Sequence, residues 1–395
     1  MGSPLREVKG LHIVQLVSRF PPIHIGGIEN AVYHISRELV RKGHEVTVIT
    51  SSDSWSRVVE EIDGIAVRRL PCLFKLGYTS PFLPSFLLDS GRVGSFDIVH
   101  AHVPDGFLSA SSPLLSMVRS SPLVLTVHNF PLGESSSKLV LSRVLEQLLR
   151  IALLRSSRVF VHNSSYALTS RLRGLEGKVC VTPLGVDLAR FNPECDGCSV
   201  RSELGLESNS VILFVSVLDR AHWYKGLRLL LNSMRHLNHV GRDARLVVVG
   251  SGDTLAEYRD YAEKIGVEKQ VIFVGRVEDS MLPKYYASSD LVVLPSTGIL
   301  EGFGLVAAEA MASGKATIVS RIAGISEYLT DGYDAIVLEN LSEYALAETI
   351  SDLLQDSKRR NSMGKKARKT AEANFNWSKI TERMLREYER VARII

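Results

Sequence analysis

Short apolar runs rich in valine, isoleucine and leucine recur along the first half of the chain, separated by longer segments with helical periodicity. The runs lie at residues 11–17, 45–50, 65–70, 96–102, 123–128, 159–163 and 179–183. Strands without polar alternation are typical of a parallel sheet that is covered by helices on both faces. The first covering helix is predicted over residues 29–42, ending before Gly43.

The same pattern starts again in the second half. Strands are predicted at residues 211–218, 245–250, 271–275, 291–295, 316–320 and 335–339, with helices at 226–237, 281–288 and 304–312. A chain of 395 residues is also longer than one compact α/β unit needs. We therefore predict two Rossmann-like, doubly wound domains at residues 1–185 and 186–375, with a linker at about 186–209.

The tail of the chain, from residue 342 onward, is predicted to be helical throughout. Its last segment, residues 376–395, carries an apolar stripe but has no strand of its own to cover. Because such a stripe must be buried, we expect this C-terminal helix to return to the N-terminal domain and pack on it.

Composition and charge narrow the functional classes. Hydrophobic residues make up 45% of the chain and charged residues 23%, as in ordinary globular proteins. The net charge of +4 is uneven, because residues 1–185 hold 20 basic and 14 acidic side chains. This excess suits an anionic acceptor or an acidic membrane surface, and it is also common on solvated faces. Basic residues do not interleave with aromatic ones in a stripe, so no nucleic-acid partner is expected.

The N-terminus lacks the apolar stretch of a signal peptide, and no run of about 18 apolar residues is found. A cytoplasmic protein is therefore expected, and peripheral association with the inner face of the membrane is compatible with this. Of the four cysteines, Cys195 and Cys198 have the spacing of half a zinc site, but no second Cys-x-x-Cys completes it. Two surface thiols and an incidental disulfide both fit this pair.

Ligands of open parallel sheets bind beyond the carboxyl ends of the strands. The loop after the first strand, residues 20–29, contains Gly26 and Gly27, which allow close backbone approach at the start of a helix. This arrangement favours a phosphate, although a plain turn fits the same residues. In the second domain, Lys225 stands just before a helix N-terminus, where its charge and the helix dipole both attract an oxyanion.

A third loop follows the strand at 291–295. Its glycines leave the amides of Phe303, Gly304 and Leu305 open at a helix start, and Glu301 precedes that helix. Glu309 lies about a turn and a half into it, among alanines. A carboxylate on such a narrow, packed helix needs a partner, which a ligand hydroxyl or a salt bridge can supply.

Taken together, these motifs resemble glycosyltransferase family 4, retaining enzymes of the GT-B fold in which two Rossmann-like domains face a central cleft. The most specific segment is Glu-x7-Glu, which here joins Glu301 to Glu309. Weaker pieces support it, namely Gly26-Gly27-x-Glu29, Lys225-Gly226, Asp97-Ile-Val-His-Ala-His102, Thr126-Val-His128, Pro183-Leu-Gly-Val-Asp187, Val249-Gly-Ser-Gly252 and Gly275-Arg-Val277. The resemblance extends from about residue 11 to about residue 390.

The resemblance implies a role for each matching position. Glu309 would bind the ribose hydroxyls, and Glu301 with the amides of Phe303, Gly304 and Leu305 would hold the donor sugar. Lys225, with the amides of Gly26 and Gly27, would bind the diphosphate. His128 would contact the sugar beside the reacting carbon. The backbone near Val277 would recognise the base.

Two positions depart from the family pattern. The arginine that usually follows the first strand of the second domain is missing, so Arg220 or His222 would supply the second positive charge, with Arg220 slightly favoured. Residues 324–327 read Gly-Ile-Ser-Glu in place of Gly-Gly-x-Pro-Glu. No Asp-x-Asp pair occurs that could hold Mg²⁺ on a diphosphate, and so no metal or other cofactor is expected.

The expected reaction is transfer of a hexose, with retained configuration, from a UDP-, GDP- or ADP-sugar to a glycan, a lipid-linked acceptor or a small molecule. For the acceptor, segment 72–88 is apolar and aromatic, and segment 138–155 has a broad apolar face with basic flanks. That face fits contact with an anionic membrane, and core packing fits it too. A nucleotide-sugar epimerase of the same fold and a non-catalytic sugar-binding protein are the alternatives.

Overall fold

The computed structural model describes residues 10–22, 26–53, 55–76, 80–83, 85–104, 106–129, 139–239, 243–298 and 301–392. The strands are β1 (His12–Leu16), β2 (Glu45–Ser52), β3 (Val58–Ile62), β4 (Ile65–Pro71), β5 (Phe74–Leu76), β6 (Ser80–Phe82), β7 (Ile98–Val103), β8 (Leu123–Val127), β9 (Arg158–Val161), β10 (Val179–Val181), β11 (Ser210–Val215), β12 (Ala244–Val249), β13 (Val271–Gly275), β14 (Leu291–Leu294), β15 (Ala316–Ser320) and β16 (Ile336–Leu338).

The α-helices are α1 (Gly27–Arg41), α2 (Phe86–Ser90), α3 (Gly106–Arg119), α4 (Leu139–Arg155), α5 (Ser164–Ala167), α6 (Cys198–Glu203), α7 (Leu227–His239), α8 (Leu255–Lys264), α9 (Leu282–Ser288), α10 (Leu305–Ala312), α11 (Glu343–Gln355), α12 (Ser357–Asn374) and α13 (Trp377–Ala392). Tertiary contacts divide the chain into two units. The first comprises Met1–Thr182 with Trp377–Ile395, and the second is Pro183–Asn376. The sequence places these divisions after residues 185 and 375.

The first unit is built on a sheet of order β10-β9-β8-β7-β1-β2-β4-β3. Its neighbouring strands are parallel except for β3, which pairs antiparallel with β4. The hydrophobic pattern predicted the parallel strands but missed β3, because that edge strand is mostly exposed. Asp63 and Gly64, at φ 51° and 78°, form its tight turn to β4, and Asp-Gly was the available hairpin signal. The short hairpin β5–β6 was missed as well.

The second unit contains a fully parallel sheet of order β13-β12-β11-β14-β15-β16. Alternate residues of β11 enter different cores: Val211 and Leu213 pack on one face of the sheet, and Ile212 and Phe214 on the other. Burial on both faces explains why the strands are continuously apolar. The prediction of two doubly wound α/β domains is thus confirmed.

The C-terminal helix α13 belongs to the first unit, and its apolar stripe is buried there. The Trp377 ring stacks on His34 of α1, with centroids 5.4 Å apart and planes 8° apart. Arg158 of β9 also donates to Glu387 at 2.7 Å. The predicted helix therefore packs on α1, and an ion pair also joins it to β9.

The segment expected as a linker, residues 186–209, folds into the second unit. Val200 and Leu206 are 1% and 2% exposed and belong to one of its cores. The Arg201 guanidinium donates to the Ser288 carbonyl and to Asp290, both at 2.7 Å. Because these residues are buried and hydrogen-bonded within the second unit, the segment is part of that unit and does not form a linker. No helix of the described residues combines the length and apolar character needed to cross a bilayer.

Candidate active site

The two chemically distinctive loops of the second unit follow β11 and β14, which are neighbours in its sheet. The strand order runs away from this pair in both directions, through β12 on one side and β15 on the other. Such a reversal point leaves a crevice at the carboxyl ends of the two strands, where ligands of open sheets bind. The fold thereby brings Lys225 and Glu301, 76 positions apart in sequence, to one place.

An ion pair joins these loops. Lys225 Nζ donates to both carboxylate oxygens of Glu301, at 2.9 and 2.7 Å, and Ser296 Oγ donates to Glu301 Oε2 at 2.8 Å. The Lys225 side chain is 20% exposed and that of Glu301 only 5%. An ammonium group has three N–H bonds, so one remains for a ligand after the two bonds to Glu301. Glu301 therefore holds the Lys225 ammonium group in a fixed position at the carboxyl ends of β11 and β14.

Gly226 allows the two loops to approach each other. Its φ is 79°, and a Cβ built there would lie 2.0 Å from the Pro295 carbonyl oxygen. The Thr297 amide donates to the Tyr224 carbonyl at 2.7 Å in the same place. A side chain at residue 226 is excluded both by its left-handed backbone and by this contact. The Lys-Gly motif is therefore a packing requirement that places the lysine.

The helix α10 begins at Leu305, with Gly304 as its N-cap and Phe303 immediately before it. Gly304 precedes the helix at φ 105°, and a Cβ there would lie 2.7 Å from Leu294 Cδ2. Amides in a first helical turn have no acceptor within their helix and carry its positive end. The Phe303 carbonyl accepts from the Ile325 amide at 2.6 Å. The segment that departs from the family pattern is thus bonded directly to this loop.

Glu309 lies on α10, and its carboxylate accepts a 2.7 Å hydrogen bond from the Tyr286 hydroxyl of α9. Desolvation raises the pKa of Glu309 from 4.5 to about 7, opposed by the Tyr286 hydrogen bond and by the charge of Arg190. Arg190 itself pairs with Asp279 at 2.6 Å. Tyr286, Arg190 and Asp279 were missed in the sequence, because each lies on a different segment and none belongs to a recognisable motif.

Both candidates for a second positive charge have other partners. Arg220 is 79% exposed and pairs with Glu257 of α8 at 3.1 Å. His222 Nδ1 lies 2.6 Å from Asp219. An exposed pair such as Arg220–Glu257 contributes about 1 kcal/mol or less, so a diphosphate can recruit this arginine at little cost. Val277, predicted to lie near the base, follows β13 and is half-buried against one core of the unit.

The remaining predicted site residues belong to the first unit. Gly26 and Gly27 begin α1, and residues 23–25 of their loop lie outside the described residues. A Cβ on Gly26 would lie 2.5 Å from Glu29 Oε2, so the Glu29 carboxylate lies close to the start of α1. Arg69, which the sequence reading missed, is 2% exposed and donates to the carbonyls of Phe20 and Pro21, at 3.1 and 2.7 Å. It fixes the course of the loop.

His128, predicted to contact the sugar, follows β8 and is 7% exposed. Its two ring nitrogens lie 3.0 and 3.1 Å from those of His162 and His102. A hydrogen bond from this ring to a ligand therefore requires the ligand to replace one of its histidine neighbours.

Two other expectations concern metals and thiols. Within the described parts of the chain, no group of three or more His, Cys, Asp or Glu side chains is arranged to hold a metal ion. The four cysteines are free thiols, with Cys195 half-buried and Cys198 exposed at the start of α6. The incidental disulfide is therefore not formed.

The sequence matches the models of two families that together cover most of the chain. Residues 25–190 match glycosyltransferase family 4 and residues 200–370 match glycosyl transferases group 1. A D-inositol 3-phosphate glycosyltransferase of Xylanimonas cellulosilytica is 30% identical, over 92% of this chain and 91% of its own length. The chain belongs to the family 4, group 1 glycosyltransferases. An uncharacterized glycosyltransferase of Methanocaldococcus jannaschii is 26% identical, over 96% and 98% of the two chains.

Solved structures support the fold of this glycosyltransferase. HepE of Anabaena, solved in complex with UDP, superposes with a TM-score of 0.77 at 21% identity, covering 96% of this chain and all of its own. At that identity the likeness establishes the GT-B fold alone. Together with the family match, it confirms the architecture that the motifs implied.

The Lys225–Glu301 pair generates a stability prediction. Lys225→Met should lower the free energy of unfolding by about 3 kcal/mol, because it leaves a buried carboxylate without its counter-ion. The double variant Lys225→Met/Glu301→Gln should recover most of this loss, as measured by urea denaturation. The exposed pair Arg321–Glu339 provides the matched control, since Arg321→Met should cost about 1 kcal/mol or less. Equal losses at the two sites would contradict the burial argument.

Glu309 generates a pH prediction. Its pKa rises from 4.5 in the unfolded chain to about 7 in the folded protein, so the folded state binds the proton more tightly. Stability from this group is therefore complete below about pH 4.5 and is lost as the pH rises through 7, by about 3 kcal/mol in total. Glu309→Gln should remove this decline, measured as the difference between mutant and wild-type unfolding free energies from pH 5 to 8. A difference that stays constant with pH would contradict the raised pKa.

Proposed function

We propose that this glycosyltransferase moves a hexose from a nucleotide diphosphate sugar to an acceptor, with retained anomeric configuration and without a metal ion. The observation that carries the proposal is the Lys225–Glu301 pair at the reversal point of the second sheet. Glu301 lies on the loop that leads into α10, and Glu309 follows on that helix. Together these groups can bind an anionic leaving group, a sugar and a ribose.

The reaction breaks the bond between the anomeric carbon and the diphosphate oxygen, and negative charge builds on that oxygen. Preorganised donors stabilise such charge most effectively away from bulk water. Lys225 supplies a fixed cation, and we assign further donors to Arg220 and to the amides of Gly26 and Gly27. The acceptor oxygen attacks the anomeric carbon on the face that the diphosphate leaves, and the leaving oxygen takes the acceptor proton. The chain has no Asp-x-Asp for a metal-bound diphosphate, which supports the metal-independent route.

The donor is held at both ends. Glu301 and the amides of Phe303, Gly304 and Leu305 bind the sugar hydroxyls, and His128 contacts the sugar beside the reacting carbon. Glu309, ionised above about pH 7, accepts hydrogen bonds from the ribose hydroxyls. The backbone near Val277 reads the base. Solved complexes of HepE contain UDP and UDP-glucose, so UDP-glucose is the first donor to test, before GDP- and ADP-sugars.

A thermal-shift panel with UDP-, GDP- and ADP-glucose tests the donor proposal. One of the three should raise the melting temperature by several degrees through mass action, and Glu309→Ala should abolish the shift. Arg321→Met, which changes an exposed pair, should retain it. NMR of the product should show the anomeric configuration of the donor, and EDTA should leave the rate unchanged. A rate that collapses in EDTA, or an inverted product, would overturn this mechanism, and an epimer formed from donor alone would indicate an epimerase.

The acceptor proposal rests on an exposed surface of the first unit, formed by α3 and α4. Its apolar side chains are 48–67% exposed: Leu114, Met117 and Val118 on α3, with Val144, Ile151 and Leu154 on α4. The spacing of these residues places them on one face of each helix. The apolar residues of segment 138–155 are therefore divided: these side chains are exposed, whereas Leu149, Ala152 and Leu153 of the same helix are packed in the core. Residue 138 of the predicted segment lies outside the described residues.

The charges around this α3–α4 surface favour an anionic membrane as its partner. Arg150 and Arg155 of α4 are exposed, and Arg119 ends α3. Glu146, an acid of α4, is neutralised by Arg171 at 3.2 Å. Apolar side chains flanked by arginines match the acyl and headgroup layers of an anionic bilayer. The other predicted segment, 72–88, is divided: Leu83 and Phe86 are buried in the core, whereas Leu73 and Leu88 are exposed. Residues 77–79 and 84 of this segment lie outside the described residues.

Flotation with phosphatidylglycerol-containing vesicles tests the membrane contact. Wild-type protein should float with these vesicles at low salt, less at high salt, and not with phosphatidylcholine vesicles. Ile151→Ser/Leu154→Ser should reduce the bound fraction several-fold, whereas Tyr344→Ser, at a more exposed position in the second unit, should not. If wild-type protein does not bind anionic vesicles, the membrane proposal is wrong, and the acceptor is a glycan or a small anionic molecule. The name of the Xylanimonas relative contains such a molecule, D-inositol 3-phosphate.

A further inference from the structure

The sheet of the first unit has a polar stripe on one of its faces. In β7, Val99, Ala101 and Val103 enter the main apolar core, so the alternate residues His100 and His102 point to the opposite face. Gln15, Thr126 and Phe160 are on that face too, because β1, β8 and β9 alternate in the same way. His128 and His162 continue the pattern just beyond their strands. Four buried histidines thus lie side by side near the carboxyl ends of the strands.

These side chains form a continuous hydrogen-bonded chain. His162 Nδ1 donates to the Thr182 carbonyl at 3.0 Å, and His162 Nε2 lies 3.0 Å from His128 Nδ1. His128 Nε2 is 3.1 Å from His102 Nδ1, and His102 Nε2 is 2.8 Å from the Gln15 amide group. Every ring in the chain uses both of its nitrogens.

The direction of the chain follows from its end at Thr182. A carbonyl oxygen only accepts, so Nδ1 of His162 carries the proton, and in a neutral ring Nε2 must then accept. His128 therefore donates through Nδ1 and accepts through Nε2, and the same reasoning makes His102 donate through Nδ1. His102 Nε2 now needs a donor, which Gln15 supplies when its amide nitrogen faces the ring. Turning that amide also gives a role to its nitrogen, which has no partner among the described residues in the opposite orientation.

A second branch agrees with this polarity. Tyr388 of α13 has its hydroxyl 2.7 Å from His100 Nδ1, and His100 Nε2 is 2.7 Å from Thr126 Oγ1. Burial raises the pKa of the Tyr388 phenol, and the Gln15 side chain lies next to its hydroxyl. In the turned orientation the Gln15 oxygen faces this hydroxyl and can accept from it. Thr126, His100, Tyr388 and Gln15 can then each donate to the next.

All four rings are neutral at physiological pH. Burial lowers the pKa of His100 to about 3 and of His162 to about 4. Burial, followed by the charges of neighbouring histidines, also lowers the pKa of His102 and His128 well below the ordinary value. The neutrality assumed for each ring therefore agrees with its surroundings.

We propose that His102 and His162 are positioning residues that hold His128 as its neutral Nδ1–H tautomer, with Nε2 as a hydrogen-bond acceptor. When a sugar hydroxyl takes the place of the His102 ring at this nitrogen, the bond from His128 Nδ1 to His162 still fixes the tautomer, so the hydroxyl meets a lone pair and donates to it. The inference rests on the proposed function, in which His128 contacts the donor sugar. It adds that the contact is made by an acceptor, and it names the two residues that determine this.

The tautomer can be measured without any mutation. In protein with ¹⁵N-labelled histidine, two-bond ¹H–¹⁵N correlation spectra at pH 7 should show a protonated Nδ1 and an unprotonated Nε2 for His102, His128 and His162. Assignment uses single His→Gln variants, with His236→Gln of the second unit as the reference substitution. An Nε2–H tautomer or a charged ring at His128 would overturn the proposal, whatever the activity.

Variants at His162 separate positioning from general structure. His162→Gln keeps an oxygen that accepts from His128 Nδ1–H, so the tautomer and most of kcat should be retained. His162→Phe removes the acceptor, so His128 should change tautomer and kcat should fall at least tenfold. The KM for the acceptor should stay within about twofold in both variants. Equal kcat in the two variants would contradict the positioning role. If the His128 tautomer is as proposed but His128→Ala leaves kcat unchanged, the proposed contact with the sugar is wrong instead.

Discussion

The ion pair between Lys225 and Glu301 is the interaction on which the candidate site depends. It joins two loops that are far apart in the sequence, and it gives the buried Glu301 carboxylate a counter-ion whose removal would be costly. A lysine free in solvent would be mobile and screened by salt. Held by a carboxylate, with one N–H remaining, it becomes a preorganised donor of the kind that stabilises charge developing on a leaving group.

Backbone geometry makes that pair possible. Gly226 and Gly304 both have positive φ and both lie where a Cβ would collide with a neighbouring loop or side chain. These glycines let the loops after β11 and β14 pack closely at the reversal point of the sheet. These glycines of the family motifs therefore act through local packing, which brings the Lys225 and Glu301 loops together.

The sheet of the first unit buries a set of polar side chains. Parallel strands buried on both faces are normally apolar, yet one face of this sheet carries four histidines, a glutamine and a tyrosine from α13. These groups remain stable in the interior because each satisfies the next, and a neutral imidazole suits such a chain since it both donates and accepts. The C-terminal helix contributes Tyr388 to this network as well as its apolar stripe, so its return to the first unit completes a polar arrangement and covers an apolar surface.

The sequence by itself determined the two parallel-sheet domains, most strand positions, the C-terminal helix and the motif residues Lys225, Glu301 and Glu309. It did so because continuous apolar strands, helical stripes and glycine-flanked charges leave local signatures of fixed period. Tertiary structure alone decided which residues meet. The partner of Glu309 is Tyr286 of another helix, the partner of Arg220 is Glu257, and His128 lies between His102 and His162. These contacts depend on strand order and on which face each side chain occupies, and pairing across a sheet brings together residues whose spacing along the chain carries no signal.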